Sequence, residues 1–235
     1  MASYLQLEDL SIEVTRKAIK HAYLRVNGAG EVRLSAPKRM SDKELETFVR
    51  SKLGWIRRQQ RKHQDRPEPI DHQFASGERF QIWGRTVHLQ VVETGGKPSV
   101  EVRGAALRMA VRPGTSKSKR KALLEAWLRS ELEAAVPDLL ARWEDVVGVK
   151  ITRVTLRKMK TRWGSCSTGT RRIRLNTELA RLDPACLEYV LVHELVHLLE
   201  ASHNARFKAL MDHHLPGWRA VRARLRDHAL GRLLY

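Results

Sequence analysis

The densest concentration of chemistry in the chain is His193-Glu194-Leu195-Val196-His197, set within the apolar run from Leu191 to Leu199. On a helix, this spacing puts His193 and His197 one turn apart on one face, where both imidazoles can share a tetrahedral zinc ion. Glu194 stands beside the first of them and slightly round the helix. Its carboxylate is placed to take a proton from a water that the metal has acidified to a pKa of roughly 7, the chemistry of a metal-dependent hydrolase. Two imidazoles and a carboxylate would be costly between Tyr189-Val190 and Leu198-Leu199 unless something paired them, and a metal does so. A third protein ligand is needed, and His203 is the best candidate. On an unbroken helix it would lie about 120° away from the other two, so the helix must end near Ala201. Ser202 and Asn204 can cap a new helix there, although no glycine eases the turn. Glu200, Asp212, His213 and His214 are weaker candidates, lying too close or needing a longer return. The expected cofactor is one zinc ion per chain, and three imidazoles also accept other divalent transition metals.

The elements that position these residues can be read outward from them. Asp183-Pro184 gives the metal-bearing helix an acidic cap and a proline in its first turn. Before it, Val149 to Arg157 and Arg172 to Asn176 read as strands, joined through the Arg162 to Thr170 loop. Ser116 caps a long helical pattern that runs to Trp143, with a bend expected at Pro137. After the site, Phe207, Leu210, Met211, Trp218, Val221 and Leu225 have the spacing of core packing. Further upstream the period changes from helical to alternating. Tyr4 to Ala36 reads as antiparallel strands with a turn at Asn27-Gly28-Ala29-Gly30, and Phe74 to Pro113 as a small antiparallel sheet. Between them, Ser41-Asp42-Lys43-Glu44 opens a helix that turns basic through Arg57, Arg58, Arg61 and Lys62 and gives way to a linker at Pro67 to Pro69. No internal repeat is evident, and the two strand-rich stretches are able to join in one sheet. The reading is therefore an α+β chain with an N-terminal antiparallel strand-rich domain and its basic helix over residues 1–113, and a catalytic domain over 114–235.

Charge and composition narrow the class. The 235 residues carry 44 Lys plus Arg against 26 Asp plus Glu, a formal net charge of +18. Such an excess suits a polyanionic partner, whether nucleic acid, nucleotide or acidic protein, and equally suits a solvated basic surface. Cys166 and Cys186 cannot build a disulfide framework and fit a reducing compartment. No signal-peptide pattern opens the chain and no apolar run approaches 18 residues, so a cytoplasmic protein without a membrane segment is expected. The sequence does not set an oligomeric state.

Several of these residues together resemble a known family. Arg162-Trp163-Gly164-Ser165-Cys166-Ser167, Leu175-Asn176 with Leu179, Tyr189-Val190, His193-Glu194-x-x-His197-Leu198, His203-x-x-x-Phe207 and Trp218 look like the YgjP-type metal-dependent hydrolases, relatives of the SprT-like zincins. The resemblance is densest from Val149 to Leu225. It implies a zincin-like catalytic part with three His ligands and a general-base Glu, which fall here on His193, His197, His203 and Glu194. The family is described as metallopeptidases, while the name UTP pyrophosphatase is also attached to YgjP-type proteins. For a peptide, an extended segment would lie along an edge strand such as the one ending in Asn176. For a nucleoside triphosphate, Arg157, Lys158, Lys160, Arg162, Arg171, Arg172 and Arg174 surround the Trp163-Gly164 turn in sequence and would clamp the phosphates. A third reading is a SprT-like protease or binding module associated with nucleic acid. Arg162 and Trp163 are expected to border the metal cleft as substrate-binding residues, Trp163 reading equally as a core anchor. Asn176 reads either as a contact to substrate backbone or as a turn cap.

Overall fold

The computed structural model describes residues 3–27, 29–64 and 71–228. Gly28 of the expected turn and the Pro67 to Pro69 linker lie outside the described residues, as does the side chain of Lys62. The chain forms two compact units, residues 1–70 and 71–235.

The first unit opens with β1 (Ser3–Leu7), β2 (Leu10–Lys17), β3 (Tyr23–Val26) and β4 (Val32–Pro37), followed by α1 (Asp42–Gln64). Alternation along β2 and β4 buries Ile12, Val14, Val32 and Leu34, which pack with Leu45, Val49 and Ile56 at helical spacing along α1. The helix starts on a reciprocal cap: the Ser41 N–H donates to the Glu44 carboxylate (2.7 Å) and the Glu44 N–H to Ser41 Oγ (3.3 Å). The sheet runs β1-β2-β4-β3 and is mixed, because β2 and β4 pair in parallel between two antiparallel outer pairs.

The second unit begins with the same arrangement. Strands β5 (Arg79–Ile82), β6 (Arg85–Glu93), β7 (Ser99–Arg103) and β8 (Ala106–Val111) lie in the order β5-β6-β8-β7, again with a parallel central pair, and lead into α2 (Lys117–Val147). The expected all-antiparallel sheets are thus corrected, since alternation reports which face is buried and not the direction of the neighbouring strand. The two strand-rich stretches also form separate sheets. Pro137 is carried within the single helix α2, which ends on Gly148 at φ 73°.

A third sheet follows, with order β10-β11-β9, from β9 (Arg153–Arg157), β10 (Gly164–Ser167) and β11 (Arg172–Asn176). A 3-10 turn at Thr177–Arg181 then leads to α3 (Pro184–Val196), α4 (Ala205–His214) and α5 (Trp218–Asp227). The unit boundary at 70/71 differs from the sequence-based boundary at 113/114 for a physical reason. Phe80, Ile82, Leu89, Leu107 and Met109 of the second sheet share one continuous core with Leu124, Leu128 and Leu132 of α2 and with Leu179 and Leu191 beyond it.

Candidate metal centre

Helix α3 begins where the sequence places it, with the Asp183 side chain accepting the Ala185 N–H at 2.8 Å and Pro184 in the first turn. Its start is braced by the β5–β6 hairpin. The Trp83 N–H donates to Ala180 O (2.8 Å), the Gly84 N–H to Arg181 O (3.2 Å), and the indole N–H of Trp83 to Glu131 of α2 (3.0 Å). Gly84 sits at φ +75° so close to the helix start that a Cβ there would be 3.1 Å from the Asp183 backbone.

The helix ends at Val196, earlier than the expected Ala201, with His197 as its cap. No glycine is needed, because the last turn tightens: the Leu198 N–H reaches Leu195 O (3.0 Å) and the Leu199 N–H reaches Val196 O (2.9 Å). Asn204 then caps α4 by accepting the Phe207 N–H at 3.0 Å. This break brings His203 back over the other two imidazoles.

One ligand nitrogen from each of His193, His197 and His203 lies within 4.8 Å of the others. The three rings are mutually 4.7 to 4.9 Å apart between centroids. Beneath them Phe207 stands 4.9, 4.7 and 4.8 Å from His193, His197 and His203, a common apolar floor. His193 Nε2 and His203 Nε2 face each other at 2.9 Å. Two imidazole lone pairs at that distance repel unless a proton or a metal cation lies between them. Since His197 Nδ1 donates to Glu200 O at 3.2 Å, its Nε2 keeps the lone pair a metal needs. Behind His193, Nδ1 is 3.5 Å from the hydroxyl of the buried Tyr189, whose ring stacks on Trp218 at 6.1 Å. Burial, and then the neighbouring His197 and His203, push His193 down to a pKa of about 3. Burial likewise lowers His197 and His203, so the cluster presents neutral donors. The set therefore fits a divalent cation.

Glu194 is 4% exposed, and its burial pushes the carboxyl up to about 8 against the opposing effects of the Arg162 guanidinium and the Cys166 N–H. Gly164 permits this placement. A Cβ on Gly164 would lie 2.5 Å from Glu194 Oε1 and 2.7 Å from Val190 Cγ1, so β10 can run against α3 only where a side chain is absent. The sequence reading did not single out Gly164 or the Cys166 backbone for the site, although a glycine inside a short strand is the signal for such an approach.

A cavity of about 500 Å³ opens over this cluster, lined by Arg162, Gly164, Ser165, Cys166, Thr168, Ala201, the three histidines and Glu194. Of the residues expected to contact substrate, only Arg162 reaches it. Trp163 is 2% exposed and belongs to the core, consistent with the anchor reading. Asn176 is fully buried and its amide is committed: Nδ2 donates to Met159 O and Arg162 O (both 2.8 Å), while Oδ1 accepts the Met159 N–H (3.3 Å) and the Glu178 N–H (3.2 Å). It clasps the loop that carries Arg162. Strand β11, which ends in Asn176, is the central strand of its sheet; the edge strand at the cavity is β10. The remaining cations around the Trp163-Gly164 turn do not line the cavity. Lys158, for example, pairs with Glu125 (2.6 Å) and Glu178 (3.4 Å), and Arg171 Nε donates to Lys150 O (2.6 Å).

Three converged imidazoles beside a buried carboxylate have the composition that a metallohydrolase centre requires. The chain belongs to the YgjP-like family, its residues 20–228 matching the YgjP-like metallopeptidase domain. A comparison with curated proteins found no significant match. Among solved structures, it is similar to the metallopeptidase zymogen of Pyrococcus abyssi abylysin, with 25% identity and a TM-score of 0.36, over 39% of this chain and 92% of that one. It is also similar to the metallopeptidase zymogen of Methanocaldococcus jannaschii jannalysin, with 20% identity and a TM-score of 0.35, over 38% of this chain and 92% of that one. Among the described residues, no helix is long and apolar enough to cross a membrane.

Proposed function

We propose that the chain is a zinc-dependent peptidase of zincin-like architecture in which His193, His197 and His203 hold one zinc ion and Glu194 is the general base. The observation that carries this reading is the joint placement of three neutral imidazoles and one buried carboxylate in a single open cavity. A zinc ion bound there supplies Lewis acidity and brings water toward ionisation near neutral pH. The residues of the chain do the rest. Glu194, ionised once a cation occupies the site and with its carboxylate oriented by the Cys166 N–H, takes the proton of the attacking water and returns it to the leaving amine. Strand β10 offers its backbone to an extended peptide, giving main-chain pairing without a side-chain requirement. Arg162 lies where it can hold a substrate carbonyl or carboxylate, and Asn176 fixes the loop that presents it. A triphosphate would meet one guanidinium in this cavity, too few for its charge, so the geometry favours the peptide.

The test is turnover of an unfolded protein by zinc-loaded wild type and Glu194→Gln, with a nucleoside triphosphate panel assayed alongside. Glu194→Gln is expected to keep its zinc and its fold and to lose at least about a hundredfold in proteolysis. Proteolysis undiminished in the variant overturns Glu194 as the base, and Glu194-dependent triphosphate hydrolysis with no proteolysis overturns the peptide assignment.

A further inference from the structure

On α4 and α5, a second concavity of about 380 Å³ is lined by Lys208, Trp218, Arg219, Arg222, Ala223 and Arg226. Four of these six residues are cations, and no carboxylate lines it. Positions 218, 222 and 226 are four residues apart on α5, so Trp218, Arg222 and Arg226 fall along one face, which Lys208 meets from α4. The buried Trp218 indole forms the floor, with the guanidinium carbons of Arg219 and Arg222 at 4.7 and 5.8 Å from its centroid. Asp212, the acidic neighbour, is already committed: it accepts from both terminal nitrogens of Arg219 and from Trp218 Nε1 at 2.8 Å. Lys208 and Arg226 have no ion-pair partner among the described residues.

Gathering like charges around one hollow is unfavourable unless an anion offsets it, and stacking on an indole holds guanidinium planes in a fixed attitude, which is preorganisation for a planar fork of N–H donors. We propose that this pocket is a binding site for a phosphate-type oxyanion. It shares no lining residue with the metal cavity, although Arg222 lies within electrostatic reach of His193 and His203. A tetrahedral dianion matches the donors, and the hollow is wide enough to admit it together with its hydration water. Arg222 and Arg226 supply paired N–H groups and Lys208 a point charge from the opposite wall.

The experiment is titration of inorganic phosphate into the zinc-loaded full chain by calorimetry at constant ionic strength. Wild type is expected to bind saturably. Arg222→Ala/Arg226→Ala and, from the other wall, the exposed Lys208→Glu are each expected to weaken binding at least tenfold with unchanged thermal unfolding midpoints in the absence of phosphate. Arg162→Ala, at the metal cavity, is expected to leave affinity unchanged. Absence of saturable binding, or weakening by Arg162→Ala with none from the α4–α5 variants, overturns the proposal.

Discussion

The four-strand sheet and helix of residues 3–64 and the four-strand sheet and helix of residues 79–147 share one topology but are used differently. Each has a parallel central pair flanked by antiparallel strands and is followed by a long helix. In the first, the buried apolar side chains of the described residues form a cluster of their own between sheet and helix. In the second, the same layers continue into the core around the metal site. The difference is visible in the first hairpin of each. Glu8-Asp9 is charged and is held by Arg57 of the following helix at 2.5 and 3.1 Å. Trp83-Gly84 instead combines an indole donor with a missing Cβ, and so can seat its backbone on the turn that starts α3. A topology becomes a support for a site when its turn residues let another backbone come close.

The most severe way to break this comparison is to cut the chain. Residues 71–235 are expected to unfold cooperatively on their own. Residues 114–235 are expected to show no cooperative transition by circular dichroism, because Leu124, Leu128 and Leu132 lose the sheet that covers them. A cooperative 114–235 fragment would mean that the second sheet is as independent as the first. At the level of single residues, Gly84→Ala places a Cβ against the Asp183 backbone at a positive φ and is expected to cost about 2–3 kcal/mol in chemical denaturation. The corresponding change in the other hairpin, Asp9→Ala, removes only an exposed ion pair and is expected to cost under about 1 kcal/mol.

A pH titration separates the two regions by another route. In the metal-free protein Glu194 binds its proton up to about pH 8 when folded but only to its ordinary value of 4.5 when unfolded, so its burial makes stability fall as pH rises through that interval. His193 does the opposite between about 3 and 6.5, where the unfolded imidazole holds the extra proton and stability rises with pH. Just above pH 6.5 the unfolded His193, His197, His203 and His214 are still releasing protons and offset Glu194, whose own contribution falls by up to about 1.4 kcal/mol per pH unit toward pH 8. Differential scanning calorimetry should find this fall in the transition of residues 71–235 and lose it in Glu194→Gln. The first unit, whose buried described residues are all apolar, should be flat over the same range. The smallest effect belongs to Tyr189→Phe. Removing the hydroxyl behind His193 Nδ1 should weaken zinc binding about tenfold in a competition with a chelating dye, while the stacked ring keeps the fold.

What the sequence made legible follows from how local each signal is. The convergence of His193 and His197 rests on one helical turn. That of His203 required only that the helix stop, and Asn204 announced the next one. Trp163 and Asn176 were read from their place beside the site, but contact with a ligand is decided by exposure, a tertiary property, and both are buried. Strand direction and the 70/71 division were equally hidden, because alternation and helical spacing say that a face is covered without saying by what. The role of Gly164 had a local sign, a glycine in a four-residue strand, whose meaning depends on a carboxylate thirty residues away.

The three imidazoles form a gradient from buried His193 through half-buried His197 to exposed His203. This gradient gives the centre a direction in time. An ion arriving from solvent would meet His203 first, so the rate of exchange is expected to depend on the short segment between α3 and α4 more than on the helix that holds the other two rings. Substitutions from Glu200 to Asn204 are therefore expected to change how long a metal resides while leaving the Glu194 carboxylate and its surroundings intact.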